Sequence, residues 1–106
     1  MQRWTIDQAW AWYNHQPWLV GCDFIPSTAI NQLEMWQAES FDAQTLAREL
    51  DWARSLGFNT LRVYLHDLIW PHDAAGFRGR IDSFLDLCAA RGIRPMLVLF
   101  DDCWNS

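Results

Sequence analysis

The side chains able to do chemistry fall in three polar stretches of the chain. Asn31, Glu34 and Trp36 share the first, His66, Asp67, Trp70, His72 and Asp73 the second, and Asp101, Asp102, Trp104 and Asn105 the third. Each stretch pairs a tryptophan with at least one carboxylate. Indole faces cover the apolar C–H patches of a pyranose ring, while carboxylates, amides and imidazoles hydrogen-bond its hydroxyls, so this set suits a neutral, hydroxyl-rich ligand such as a sugar. The plainer alternative is that loop tryptophans only cap a core. The chain has eight tryptophans in all, and Trp4, Trp10, Trp12, Trp18 and Trp52 are read as packing residues.

Arg62 lies inside an apolar run, where a guanidinium must find a partner. Two roles fit it: orienting a catalytic carboxylate and keeping that group ionised, or forming a structural ion pair. His66, just beyond the same run, either contacts ligand or ties down its loop. The pairs His66-Asp67 and His72-Asp73 follow no familiar metal-ligand spacing, so no metal and no cofactor is expected. Gly76-Phe77-Arg78-Gly79 is too poor in glycine to cradle a phosphate.

The elements that must position these groups follow from capping signals and periodicity. Thr5 with Gln8 forms a capping box for a helix from Ile6 to about Gln16, which Pro17 ends. Leu19 to Asp23 reads as a buried strand, followed by a long loop from Phe24 to Ser40. Asp42 caps a second helix, with Phe41 stapled onto Leu46, and Leu46, Leu50, Ala53 and Leu56 form its apolar face. Gly57 closes that helix, and Asn59 to Leu65 is a strand rich in β-formers. A polar loop, His66 to Ala75, leads to a third helix from about Gly76 to Arg91 with Ile81, Phe84, Leu85 and Cys88 on one face, closed by Gly92. Pro95 to Phe100 is a third strand, apolar at consecutive positions and so expected to be buried on both faces. Apolar strands alternating with amphipathic helices indicate parallel βαβ units with right-handed crossovers, hence three parallel strands in sequence order with both helices on one side. In such a fold the loops after the strands open on one face, which carries the site.

Composition narrows the partners. Thirteen acids against eight arginines and no lysine give a net charge of −5, which disfavours nucleic acid and anionic membrane surfaces. No apolar run is long enough for a signal peptide or a spanning helix, so a cytoplasmic location is expected, or a secreted one if the N-terminus is incomplete. Cys22, Cys88 and Cys103 fit neither a disulfide framework nor a zinc site, and the first two are read as small buried hydrophobes.

The stretch Gly57-Phe58-Asn59-Thr60-Leu61-Arg62-Val63 resembles the second-strand signature of clan A glycoside hydrolases, the cellulase- and mannanase-like barrels, in which a glycine, an asparagine and then a strand arginine recur. Trp18 to Ser27 and Leu99 to Asn105 are similar to a bacterial subgroup labelled cellulase or 1,4-β-xylanase, although Asp23 stands where that group carries asparagine. The resemblance implies a (β/α)₈ TIM barrel and retaining hydrolysis of a β-glycosidic bond by two glutamates about 5 Å apart. Those glutamates follow the fourth and seventh strands in the clan, and none of Glu34, Glu39 and Glu49 matches either position. Arg62 alone maps onto a recurrent active-site position, as support for the nucleophile.

A complete barrel of this kind needs about 250 residues. The 106 residues are therefore expected to be the N-terminal portion, the first three βα units, with both catalytic glutamates downstream. On this reading the chain contributes cleft residues for an oligo- or polysaccharide or glycoside, namely Arg62, His66, Trp36, Asp101, Trp104 and Asn31. Alone it would be inactive and would self-associate through the uncovered edge at Leu97, Val98 and Leu99. A non-catalytic carbohydrate-binding module, or a small α/β domain that oligomerises to cover its sheet, are the alternatives.

Overall fold

A computed structural model describes residues 2–100. The elements run α1 (Ile6–Asn14), β1 (Gly21–Asp23), α2 (Gln32–Trp36), α3 (Ala43–Ser55), β2 (Thr60–Tyr64), α4 (Ile69–Ala89) and β3 (Arg94–Val98). The three strands form one parallel sheet in the order β1-β2-β3. This is the α/β arrangement with which a (β/α)₈ barrel opens.

Local chemistry explains the boundaries. Thr5 accepts from the Gln8 backbone N–H while the Gln8 side chain accepts from Thr5 N–H, the reciprocal cap expected from the sequence. Asp42 caps α3 through both the backbone N–H and the hydroxyl of Thr45, at 3.1 and 2.7 Å. These bonds hold the Asp42 carboxyl below its ordinary value, because they favour the ionised form. Gly57 and Gly92, at φ of 89° and 67°, end the helices before β2 and β3 in the left-handed region that a side chain would resist.

One residue ties the lower ends of the strands together. The Asn59 side chain accepts from Val20 N–H and donates to Trp18 C=O, while its backbone donates to Val20 C=O and accepts from Arg94 N–H. Next to it Gly21 packs so closely on β2 that a Cβ would sit 1.8 Å from the Thr60 carbonyl oxygen. Only glycine permits this approach of the two backbones.

Side chains alternate across a strand, so β2 has two faces. Leu61 and Val63 point into a core with Leu46, Leu50 and Ala53 of α3 and with Phe77, Phe84 and Cys88 of α4. Both helices therefore lie on one side of the sheet. Burial there pushes the Cys88 thiol up to about 12, which keeps it protonated and inert. Thr60, Arg62 and Tyr64 point the other way, and in register with them lie Gly21 and Asp23 on β1 and Arg94, Met96 and Val98 on β3.

Several sequence expectations give way to this arrangement. β1 is exposed along its length, Cys22 included, because it is an edge strand with a helix to one side only. β3 is not buried on two faces: Pro95, Leu97 and Val98 are half-buried, with Arg94 and Met96 exposed. Leu56 is 73% exposed, since the helix ends there instead of continuing its apolar stripe. The expected first loop contains α2. Residues 69–75, expected as loop, form the start of α4, with a break at Asp73 (φ −156°, ψ 55°). Trp4, Trp10, Trp12, Trp18 and Trp52 are each more than half exposed and stand outside the core, with Trp4 against Trp12, Trp10 against Tyr13 and Arg48 over Trp52 as local surface contacts.

Candidate functional site

The upper, C-terminal end of the sheet gathers residues from β1, β2 and the segments that follow them. Asp23 and Arg62 are register partners on the adjacent strands. Arg62 donates Nε–H to Asp23 Oδ1 at 2.7 Å and Nη2–H to Oδ2 at 3.0 Å, a two-point grip that fixes the plane of the guanidinium. Its Cζ lies 5.3 Å from the Tyr64 ring centre, one register step higher on the same face. The pair is 45% and 60% exposed, and an ion pair so open to water contributes only about 0–1 kcal/mol to stability. Asp23, singled out in the sequence only as a departure from asparagine, proves to be the partner of the arginine.

The other expected site residues are distributed differently. Trp36 has no exposed surface. Its ring packs edge-on against Phe77 and Phe84 and stacks on Phe41, and its Nε1–H donates to Tyr64 C=O at 2.8 Å. This corrects the expectation of a cleft wall: α2 folds the indole under the loop, where it covers the top of the core. Asn31 is exposed, its Oδ1 accepts from Glu34 N–H and Glu34 Oε1 accepts from Ile30 N–H, so one oxygen of each side chain serves the start of α2. His66 follows β2 with its side chain 11% exposed, its Nδ1 3.2 Å from Leu68 N–H, which donates to it, and 3.4 Å from Asp67 Oδ1. It ties the loop that leads into α4. Asp101 and Trp104 lie outside the described residues.

Sequence reasoning passed over Arg80. From α4 it donates to the Trp36 carbonyl and, at 2.8 Å, to Asp73, with its side chain 14% exposed. The bond from Arg80 holds the Asp73 carboxyl below its ordinary value. Arg80 thus fastens the buried tryptophan's backbone to the break in α4. The available signal was the seven-residue spacing of Asp73 and Arg80, which places them on one helical face. His72 and Asp73 stand on this helix and not in a loop over the sheet. Among the described residues, no three His, Cys, Asp or Glu side chains gather as a metal site would require.

Beside the Arg62–Asp23 pair lies a cavity of about 270 Å³ between the upper end of β1 and α2. Phe24, Ile25, Ile30 and Met35 supply most of its wall, with Tyr64 at the sheet side.

Among solved structures, the chain matches an exo-β-1,4-mannosidase from Opitutaceae bacterium strain TAV5, with a TM-score of 0.62 and 34% identity over 77% of this chain. The fold is glycoside-hydrolase-like. The match spans 14% of the mannosidase chain, so the likeness extends to only a small part of that protein. No family model and no curated protein matches the sequence. No helix among the described residues is long and apolar enough to cross a membrane.

Proposed function

We propose that this chain forms the first three strands of the substrate cleft of a retaining glycoside hydrolase acting on β-linked glycans or glycosides. The supporting observation is Arg62 itself. It stands on the uncovered face of the sheet, at the end where barrel loops build a site, held in a fixed plane by Asp23. An exposed ion pair adds little to stability, so an arginine there is better accounted for by what it faces than by what it fastens.

In this reading the acid/base and nucleophile glutamates come from later strands of the same barrel. The guanidinium favours the charged form of a neighbouring carboxylate and so lowers its pKa, keeping the nucleophile ionised. Asp23 shares the positive charge of Arg62, which tempers that effect and fixes its direction. Asp101 and Trp104 remain proposed cleft residues, whereas Trp36 and Asn31 serve the frame beneath it.

Grafting tests the reading. Residues 2–100 are exchanged for the corresponding segment of the mannosidase, and the chimera is assayed on an aryl β-mannoside beside the isolated chain. The chimera should turn over and the isolated chain should not. Arg62→Ala in the chimera should lower kcat by about 100-fold or more, as loss of a preorganised charge at a reacting centre does. An unchanged rate for Arg62→Ala, or turnover by the isolated chain as a monomer, would overturn the assignment.

A further inference from the structure

We infer that the cavity between the upper end of β1 and α2 binds an apolar substituent of the glycoside, an alkyl or aryl group, and not a further sugar ring. The inference rests on the glycoside reading above and names the substrate class for that site.

Two observations support it. The first is what the wall is made of: Phe24, Ile25, Ile30 and Met35 are apolar, and Ile25 and Ile30 stand 42% and 85% exposed. The second is where the polar groups have gone. Both carboxylate oxygens of Asp23 are held by Arg62, and one side-chain oxygen each of Asn31 and Glu34 is taken up by the turn that starts α2. The indole that would stack on a sugar, Trp36, is sealed in the core. Besides Asp23, whose carboxylate is held, this leaves Gln32, Tyr64 and the amide nitrogen of Asn31 as polar lining, a minority of a mainly apolar wall.

A pyranose brings several hydroxyls, and each one buried without a partner costs on the order of 1–3 kcal/mol. An alkyl or phenyl group carries no such penalty, and it gains by removing Ile25 and Ile30 from water. Size agrees. At about 270 Å³ the cavity falls just below the roughly 300–1,000 Å³ that hold drug-sized ligands, which is room for one ring or a short chain.

The test titrates the 106-residue chain with methyl β-glucoside, hexyl β-glucoside and 1-hexanol, following amide shifts by NMR. Hexyl glucoside should bind at least about tenfold more tightly than the methyl compound, a gain well within that expected for five buried methylenes. Ile30→Asn, at an exposed position that leaves the fold intact, should abolish most of this gain, whereas Met96→Thr on the uncovered face should not. Equal affinity for the two glucosides, or no effect of Ile30→Asn, overturns the inference. The underlying reading fails separately: if hexanol matches hexyl glucoside and Arg62→Ala weakens neither glucoside, the sugar contributes nothing.

Discussion

The two faces of the central sheet are built from the same three strands and could hardly differ more. On one, Leu61 and Val63 meet two amphipathic helices in a close-packed layer whose largest member, Trp36, is wholly buried. On the other, an ion pair, a tyrosine and the exposed Met96 stand with no element over them among the described residues. Stability resides on the first face, where side chains fill one another's space. The second is free to carry chemistry because little of the fold depends on it.

Substitutions can sharpen or break this contrast. The largest effect is expected for Trp36→Ala, which empties the core beneath the loop and removes the donor to Tyr64 C=O. A loss of about 3–5 kcal/mol follows from such a truncation. Domain stabilities are only 5–15 kcal/mol. Denaturant melts should therefore find a midpoint far below the parent's, and a small loss would mean that the indole is not a core member.

Asp42→Ala should cost less, and its cost should depend on pH. The Asp42 carboxyl titrates lower in the folded chain than in the unfolded one, so its contribution is complete above the ordinary value of 3.8 and is lost as pH falls through the depressed value. Melting temperatures of the variant and the parent should thus differ at neutral pH and converge in strong acid. The smallest effect is expected on the uncovered face. Met96→Ser should shift stability by no more than about 0.5 kcal/mol while raising the monomer fraction in sedimentation. A shift comparable with that of Trp36→Ala would show that both faces are packed alike.

Much of the frame was legible in the sequence, because its signals are local. The Thr5–Gln8 cap, the Asp42 cap and the glycine stops at Gly57 and Gly92 each involve neighbours only a few residues apart, and the parallel order of the strands follows from their alternation with helices. The site was less legible because its residues are assigned by partners far along the chain. Trp36 could be a cleft wall or a core plug until α2 turned its ring toward Phe77 and Phe84. Asn31 could bind ligand or cap a helix, and a five-residue helix is too short to announce itself by periodicity. Arg62 was marked by its setting, but its partner Asp23 lies 39 residues away and becomes visible only once β1 and β2 are in register.

The bonds of Asn59 bear on how that register is reached. Sliding β1 by one residue against β2 would exchange the sides to which its side chains point, placing Cys22 where Asp23 now meets Arg62. The sliding strand is three residues long and exposed, so its own side chains offer little resistance. Asn59 supplies the resistance from below, since its amide matches the Trp18 carbonyl and the Val20 N–H in one alignment only. It is a latch on the count of the strand: an alignment off by one would part both the Trp18 carbonyl and the Val20 N–H from the amide that now holds them.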